Sequence, residues 1–249
     1  MVNSIEEDIR LRPRQEASGG YVHSKYERRR RFLRFLLKWG GFTLLAKLDH
    51  VENLENVPGN GPAILMINHN AFIDPFVVAH VVPRNIVPLA KIEVYSYPVI
   101  GIIPRVWGVI PVRREEMDRR AVQQTLSVLQ AGEIVLVAPE GTRGPQLKRG
   151  KEGVAYLGSR SGAPVVPVAV QGTVGFPTLR FTAPWKGPGA LVRFGRPFRF
   201  RPDLKRAGRE ELRKMTDEAM YVLASMLPPE RRGVYSDLSQ ATQETIQWE

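Results

Sequence analysis

From residue 62 onward the chain alternates short, almost wholly apolar runs with stretches of helical period. The runs AILMIN (63–68), NIVPLA (85–90), GVIPV (108–112), EIVLVAP (133–139), VVPVAV (165–170) and ALVRFG (190–195) are bounded by Gly, Pro and Asn. Runs of that length and composition predict buried strands. Helical patterns fall near 75–82, 116–131, 150–161 and 208–227. Strands alternating with helices predict an α/β fold: a central, largely parallel sheet flanked by helices. There are no internal repeats and no low-complexity tract.

The N-terminal pattern is different. Residues 1 to about 23 are polar, carry Gly19-Gly20, and are expected to be loosely ordered. The stretch KYERRRRFLRFLLKWGGFTLLAKL follows. On a helical wheel Arg31, Arg34 and Lys38 form one stripe, and Phe32, Leu33, Leu36, Leu37 and Trp39 fill the opposite arc. That predicts a basic amphipathic helix lying in a lipid interface, broken by Gly40-Gly41. An ordinary helix packed on the domain is the alternative. The run of four arginines, Arg28 to Arg31, abutting the apolar residues favours the membrane. The expected division is therefore 1–48 as tail and membrane-associating helices, 49–228 as the α/β domain, and 229–249 as a polar, peripheral tail.

Composition narrows the partners. Lys plus Arg number 36 against 25 Asp plus Glu, a net charge of +11. Such a balance fits an anionic partner, whether membrane surface, phosphorylated substrate or nucleic acid; a basic protein without one is the bland alternative. There is no cysteine, which excludes disulfides, Cys-ligated metal sites and cysteine nucleophiles. No secretory signal is visible in the first residues. A transmembrane helix needs about 20 apolar residues, and the longest charge-free apolar stretch, Val94 to Pro104, is shorter. The expectation is a peripheral or monotopic protein, on the cytoplasmic face of a bacterial inner membrane.

Two constellations carry chemistry. The strand AILMIN runs into HNAFIDP, with His69 five positions before Asp74 and Pro75 next. Asp is a preferred helix N-cap and Pro is favoured at the first helical position, so a helix is expected to start at Asp74 with His69 in the turn before it. A loop that folds back brings the carboxylate to the ring, fixes the tautomer and leaves the other nitrogen as a base. An Asp capping a helix beside an incidental His is the plain alternative. The second constellation is APEGTRG, 138–144, after the strand EIVLV. If the strands are parallel it shares an edge with the His turn, where ligands of open α/β sheets bind. Arg143 is suited to bidentate phosphate binding, and LKRGK follows; a surface turn with an ion pair is the alternative. A third cluster, GVIPVRR, takes a buried strand into Arg113 and Arg114.

Together these segments resemble the glycerolipid acyltransferase family. Its four blocks occur here in order: HNAFID with His69 and Asp74, GVIPVRR with Gly108 and Arg114, PEGTR from Pro139 to Arg143, and APVVPVAV around Pro167. The chain departs from the common pattern at Ala138, Gly144 and Pro111, which bear on the acceptor headgroup and leave the chemistry intact. The resemblance implies direct acyl transfer from acyl-CoA or acyl carrier protein to the free hydroxyl of a lysophospholipid, foremost lysophosphatidic acid. It makes His69 the base and Asp74 its orienting partner. Arg114, Glu140, Gly141, Thr142 and Arg143 would build the acceptor site, with amides of the Gly141 turn as oxyanion candidates. No metal or redox cofactor is required, because a thioester is already activated. Membrane lipids are expected partners; nucleic acid is not, since no nucleic-acid-binding motif is present. Rival readings are another acceptor, such as a lyso-ornithine lipid or a glycolipid, or a catalytically inactive basic membrane-binding module. The segment VYSYPVIGIIPRVWGVI (94–110) lines an acyl tunnel, dips into lipid, or is core.

Overall fold

The computed structural model describes residues 22–98, 100–113 and 118–249. The expected loosely ordered tail, residues 1 to about 23, thus falls almost wholly outside them, as does Arg114.

Among the described residues nine strands form one sheet: β1 (Leu48–Glu52), β2 (Ala63–Ile67), β3 (Ile86–Lys91), β4 (Ile110–Val112), β5 (Ile134–Val137), β6 (Val165–Gln171), β7 (Ala190–Phe194), β8 (Phe198–Phe200) and β9 (Ile246–Trp248). The main path runs β1-β7-β6-β2-β5-β3-β4, and β8 and β9 extend from β6. From β6 to β4 every pairing is parallel. β7 is antiparallel to β6, and β1 is parallel to β7. Every residue of β2 and β5 is buried. That is why these strands read as unbroken apolar runs: both faces of a parallel sheet are covered.

The helices are α1 (Ser24–Leu36), α2 (Phe42–Leu45), α3 (Asp74–Val81), α4 (Ile102–Trp107), α5 (Arg119–Gln130), α6 (Gly153–Ser161) and α7 (Arg209–Ser225). Two cores result, one on each side of the sheet. On one side Ile64, Met66 and Val135 pack with Val128, Leu157 and Met215 from α5, α6 and α7. On the other, Leu65, Ile67 and Leu136 pack with Val77, Val78 and Trp107 from α3 and α4. Alternate residues of one strand thus feed opposite cores, as strand geometry requires.

The N-terminal helix departs from the expected wheel. Arg30 is fully buried; its Nε and Nη2 donate to the carbonyls of Trp107 and Gly108, each at 2.8 Å. Arg34 turns inward as well, donating to Val82 O at 3.2 Å. Leu33 and Leu37 pack on the α3/α4 core, while Phe32, Phe35, Leu36 and Trp39 face out. The helix therefore has two apolar faces, and the stripe of Arg31, Arg34 and Lys38 is split because Arg34 turns inward to a carbonyl; the fully buried Arg30 lies outside that stripe. The break is where it was expected: a π-helical turn, Leu37–Gly41, contains Gly40 at φ 155°, and α2 follows.

Residues 229–249, expected as a peripheral tail, close the sheet edge through β9 and pack Ile246 into the core. The anchor is Glu218 of α7, 1% exposed, whose oxygens accept from the amides of Glu244 (3.0 Å) and Thr245 (2.8 Å). The stretch reads as polar because its apolar residues, among them Tyr235, Ile246 and Trp248, are scattered, and because its main-chain anchor is one buried carboxylate.

Candidate active site

β2 and β5 are neighbours with Met66 opposite Val137. Three residues beyond each partner stand His69 and Glu140, so the parallel register places the two loops side by side. Asn68 joins them to the next strand: its amide group donates to Val170 O (2.9 Å) and accepts from Val170 N (2.7 Å).

His69 Nδ1 lies 3.0 Å from Asp74 Oδ2. Asp74 is fully buried, and the same oxygen accepts from the amides of Asn70 (2.7 Å) and Ala71 (2.8 Å). The carboxylate therefore does not cap its own helix, whose N-cap is Ile73. Asp74 opens α3, with Pro75 following, and reaches back to fold residues 69–71 around itself. With Nδ1 occupied, the Nε2 edge is the one available to a substrate.

His69 lines a cavity of about 820 Å³ that also takes in Gly141, Thr142 and Arg143. On one side its walls are Phe72, Phe76, Ala79, Ile103 and Trp107; the segment 94–110 supplies further lining through Val94, Ile100, Pro104 and Val109. That segment also provides core, through Trp107 and Ile110, and exposed apolar surface, through Tyr97 and Ile102. The segment is thus divided among cavity lining, core and exposed apolar surface. Basic side chains enter the lining at Lys91, Arg113, Arg143 and Lys151.

A family model described as "Acyltransferase" matches residues 50–171, which contain this whole arrangement. Similar curated proteins include a chloroplastic 1-acyl-sn-glycerol-3-phosphate acyltransferase of Arabidopsis thaliana, 29% identical over 58% of this chain and 42% of its own length. Another is the 1-acyl-sn-glycerol-3-phosphate acyltransferase of Bacillus subtilis, 32% identical over 49% of this chain and 62% of its own. Residues 50–171 form an acyltransferase-family domain, similar to the 1-acyl-sn-glycerol-3-phosphate acyltransferases. The chain spans about half the length of the curated relatives it matches. A solved structure, the 1-acyl-sn-glycerophosphate acyltransferase of Thermotoga maritima, shares the fold: TM-score 0.53 over 90% of this chain and 86% of that one, at 23% identity.

Within this domain the block residues divide into two kinds. Gly141, Thr142 and Arg143 line the cavity with His69. Glu140 does not. Its Oε1 accepts from the His69 amide (3.2 Å) and its Oε2 from the Lys148 amide (2.9 Å). Glu140 is 5% exposed, and burial pushes its carboxyl up against the pull of those two amides. The expectation that Glu140 contacts the acceptor thus gives way to a structural account: it clamps the His69 loop to the 139–148 loop. Gly144 N donating to His69 O at 2.9 Å closes the same junction. Gly141 sits at φ 69° and spends its own amide on Ala138 O (3.0 Å). The oxyanion candidates narrow to the amides of Thr142 and Arg143, which make no backbone bond among the described residues.

Glu140→Gln tests the clamp. An amide offers one acceptor where the carboxylate offers two, so one buried N–H loses its partner. The variant is expected to lose about 1–3 kcal/mol of stability by denaturant unfolding. An unchanged midpoint would return Glu140 to the substrate side.

One lining residue escaped the sequence reading: Lys91 stands far from the quoted blocks, whereas Lys151 closes the basic run LKRGK read after Arg143. The loop carrying Lys151 is held from the C-terminal region. Tyr235 Oη accepts from Gly150 N (3.1 Å) and donates to Asp217 Oδ1 (3.0 Å), and Arg213 donates to Gly150 O (2.7 Å). Burial pushes the Tyr235 phenol up to about 12, which keeps it protonated as a donor. Nothing local in the sequence marks residues 213, 217 and 235 as one unit.

The surface beside the cavity is apolar. Trp39 is 82% exposed, and Phe32, Phe35, Leu44 and Leu45 are exposed with it. Thr178 N donates to Leu45 O (2.9 Å), which brings the loop with Leu179 and Phe181, the latter 81% exposed, alongside. α1 packs on α4, where Ile102 and Ile103 are exposed. Large exposed apolar clusters of this kind mark interaction surfaces. No helix among the described residues is long and apolar enough to cross a membrane.

Proposed function

We propose that this protein transfers a fatty acyl group from a thioester, acyl-CoA or acyl carrier protein, to the free hydroxyl of lysophosphatidic acid, giving phosphatidic acid at a membrane surface. The observation that carries this reading is His69, oriented by buried Asp74, at the junction of an apolar wall and a basic rim in one cavity. The family relationship supports the acyl-transfer chemistry, and the names of the curated relatives support the acceptor.

His69 Nε2 takes the proton of the acceptor hydroxyl as its oxygen attacks the thioester carbonyl. The C–O bond forms and the carbonyl oxygen becomes an oxyanion beside the Thr142 and Arg143 amides. Collapse breaks the C–S bond, and the departing thiolate recovers the proton from His69. Asp74 stabilises the imidazolium between the two steps. A thioester is activated enough that no acyl-enzyme, metal or redox cofactor enters. The apolar wall from Phe72 to Trp107 shelters the fatty chain, and Arg143 meets the acceptor phosphate.

Assays with lysophosphatidic acid, a neutral lysolipid and a lyso-ornithine lipid test the acceptor. Transfer to lysophosphatidic acid is expected to dominate; equal transfer to lipids without phosphate would overturn the headgroup. Arg143 makes no ion pair among the described residues, so its charge is available for such a ligand. Arg143→Ala is expected to raise KM for lysophosphatidic acid by about tenfold to a hundredfold, the loss of a charge-assisted bond of roughly 1.5–3 kcal/mol. KM for the thioester should move much less. A matching rise in both would make Arg143 structural.

A further inference from the structure

The cavity does not stay on one side of the sheet. Ala79 and Trp107 in its lining belong to the α3/α4 core, whereas Ala121 and Leu157 belong to the α5/α6/α7 core. It therefore crosses the carboxyl edge of the strands, where Ile67, Val137 and Ala90 line it, and descends on both sides with His69 at the crossing. The second branch is walled by Ala121, Val122 and Thr125 of α5, Tyr156 of α6, and Arg209 and Leu212 of α7. It is not needed for the fatty chain, which the apolar wall over α3 and α4 already shelters.

The two branches face different surroundings. The exposed apolar residues of α1, α4 and the 178–181 loop lie with the α3/α4 branch. The opening of the other branch is exposed and carries both signs of charge, but its acids are partnered: Asp118 accepts from the Arg113 and Ala121 amides, and Glu152 pairs with Arg213. Arg209 stands there, exposed, and makes no ion pair among the described residues; Glu211 is turned instead to the Gly208 amide (2.7 Å). The exposed turn Pro202–Arg206, carrying Lys205 and Arg206, packs against α6 beside it. One reactant arrives from lipid and the other from water. A water-borne thioester carries its acyl group on a phosphopantetheine arm: a narrow chain with amides and methyl groups, ending in a phosphate. A mainly apolar branch with the Tyr156 side chain in its wall, ending on the unpaired cation Arg209, matches that arm.

We propose that the branch over α5, α6 and the start of α7 seats the donor's phosphopantetheine arm, with Arg209 at its mouth on the phosphate. This rests on the acyl-transfer reading above but not on the identity of the acceptor. The test uses the full chain. Binding of coenzyme A and of pantetheine is measured for the wild type, Arg209→Glu and Val122→Phe, the last to fill the branch. KM is then measured for a long-chain acyl-CoA, the matching acyl carrier protein thioester and lysophosphatidic acid. Arg209→Glu is expected to weaken coenzyme A binding by about tenfold or more, and pantetheine, which lacks the phosphate, far less. Val122→Phe should weaken both. Both donors should show the raised KM, since both carry the phosphate, while KM for the acceptor moves less than about twofold. A loss confined to coenzyme A thioesters would assign Arg209 to the nucleotide phosphates and overturn the placement. So would a rise in acceptor KM alone, or no change in any of these values. Coenzyme A binding needs no turnover, so this result stands apart from a failure of lysophosphatidic acid as acceptor.

Discussion

His69→Ala is expected to lower acyl transfer by about 10²–10⁴-fold, the usual contribution of a positioned base, with the fold intact. Among the described residues the His69 ring hydrogen-bonds Asp74, and the loop is also held through the His69 main chain, which the substitution keeps. Asp74→Asn is expected to retain more activity than His69→Ala. An amide oxygen still accepts from Asn70 and Ala71 and holds the loop, but it cannot stabilise an imidazolium. Asp74 is also buried, so the comparison needs the melting temperature of each variant beside its rate. Near-normal turnover by folded His69→Ala would sink the mechanism.

The second large effect concerns the membrane. Phe35→Glu with Trp39→Glu, and separately Phe181→Glu, are expected to reduce binding to anionic vesicles strongly. Burying one large apolar side chain is worth about 1.5–3 kcal/mol, so losing two exceeds a hundredfold in partitioning. These side chains point away from the core, so the variants should stay folded. Activity on detergent-dispersed substrate should fall far less than on vesicles. Wild-type binding should weaken with salt yet persist, because the contact is both electrostatic and apolar. Vesicle binding unchanged in both variants would place the contact elsewhere. Deleting residues 1–48 is the wrong tool. Phe42 and Ala46 are almost fully buried, and Leu48 begins β1, so that cut opens the α3/α4 core.

The six strands read from apolar runs all formed: β2, β5 and nearly all of β6 are covered on both faces, while β7 alternates buried and half-buried residues and β3 and β4 are only partly covered. β1, β8 and β9 were not legible. LDHVE mixes charge with apolar residues and lies at a sheet edge, while FRF and IQW are three residues each. α4 was hidden in the opposite way: IIPRVW reads as part of one apolar stretch, and Gly108 at φ 69° is what ends it. The His69–Asp74 pair was legible from five-residue spacing and a helix-start signal. The role of Glu140 was not, because it depends on the register of β2 against β5, which spacing along the chain does not contain. The same holds for Arg30, whose partners lie 77 and 78 residues away.

Product analysis on vesicles tests the central claim most directly. Wild type and His69→Ala are incubated with a long-chain acyl thioester and lysophosphatidic acid, and free thiol and phosphatidic acid are measured together. The account predicts one phosphatidic acid per thiol released by the wild type, and neither product above background from His69→Ala. Thiol release without phosphatidic acid, or equal phosphatidic acid from the two proteins, would contradict it.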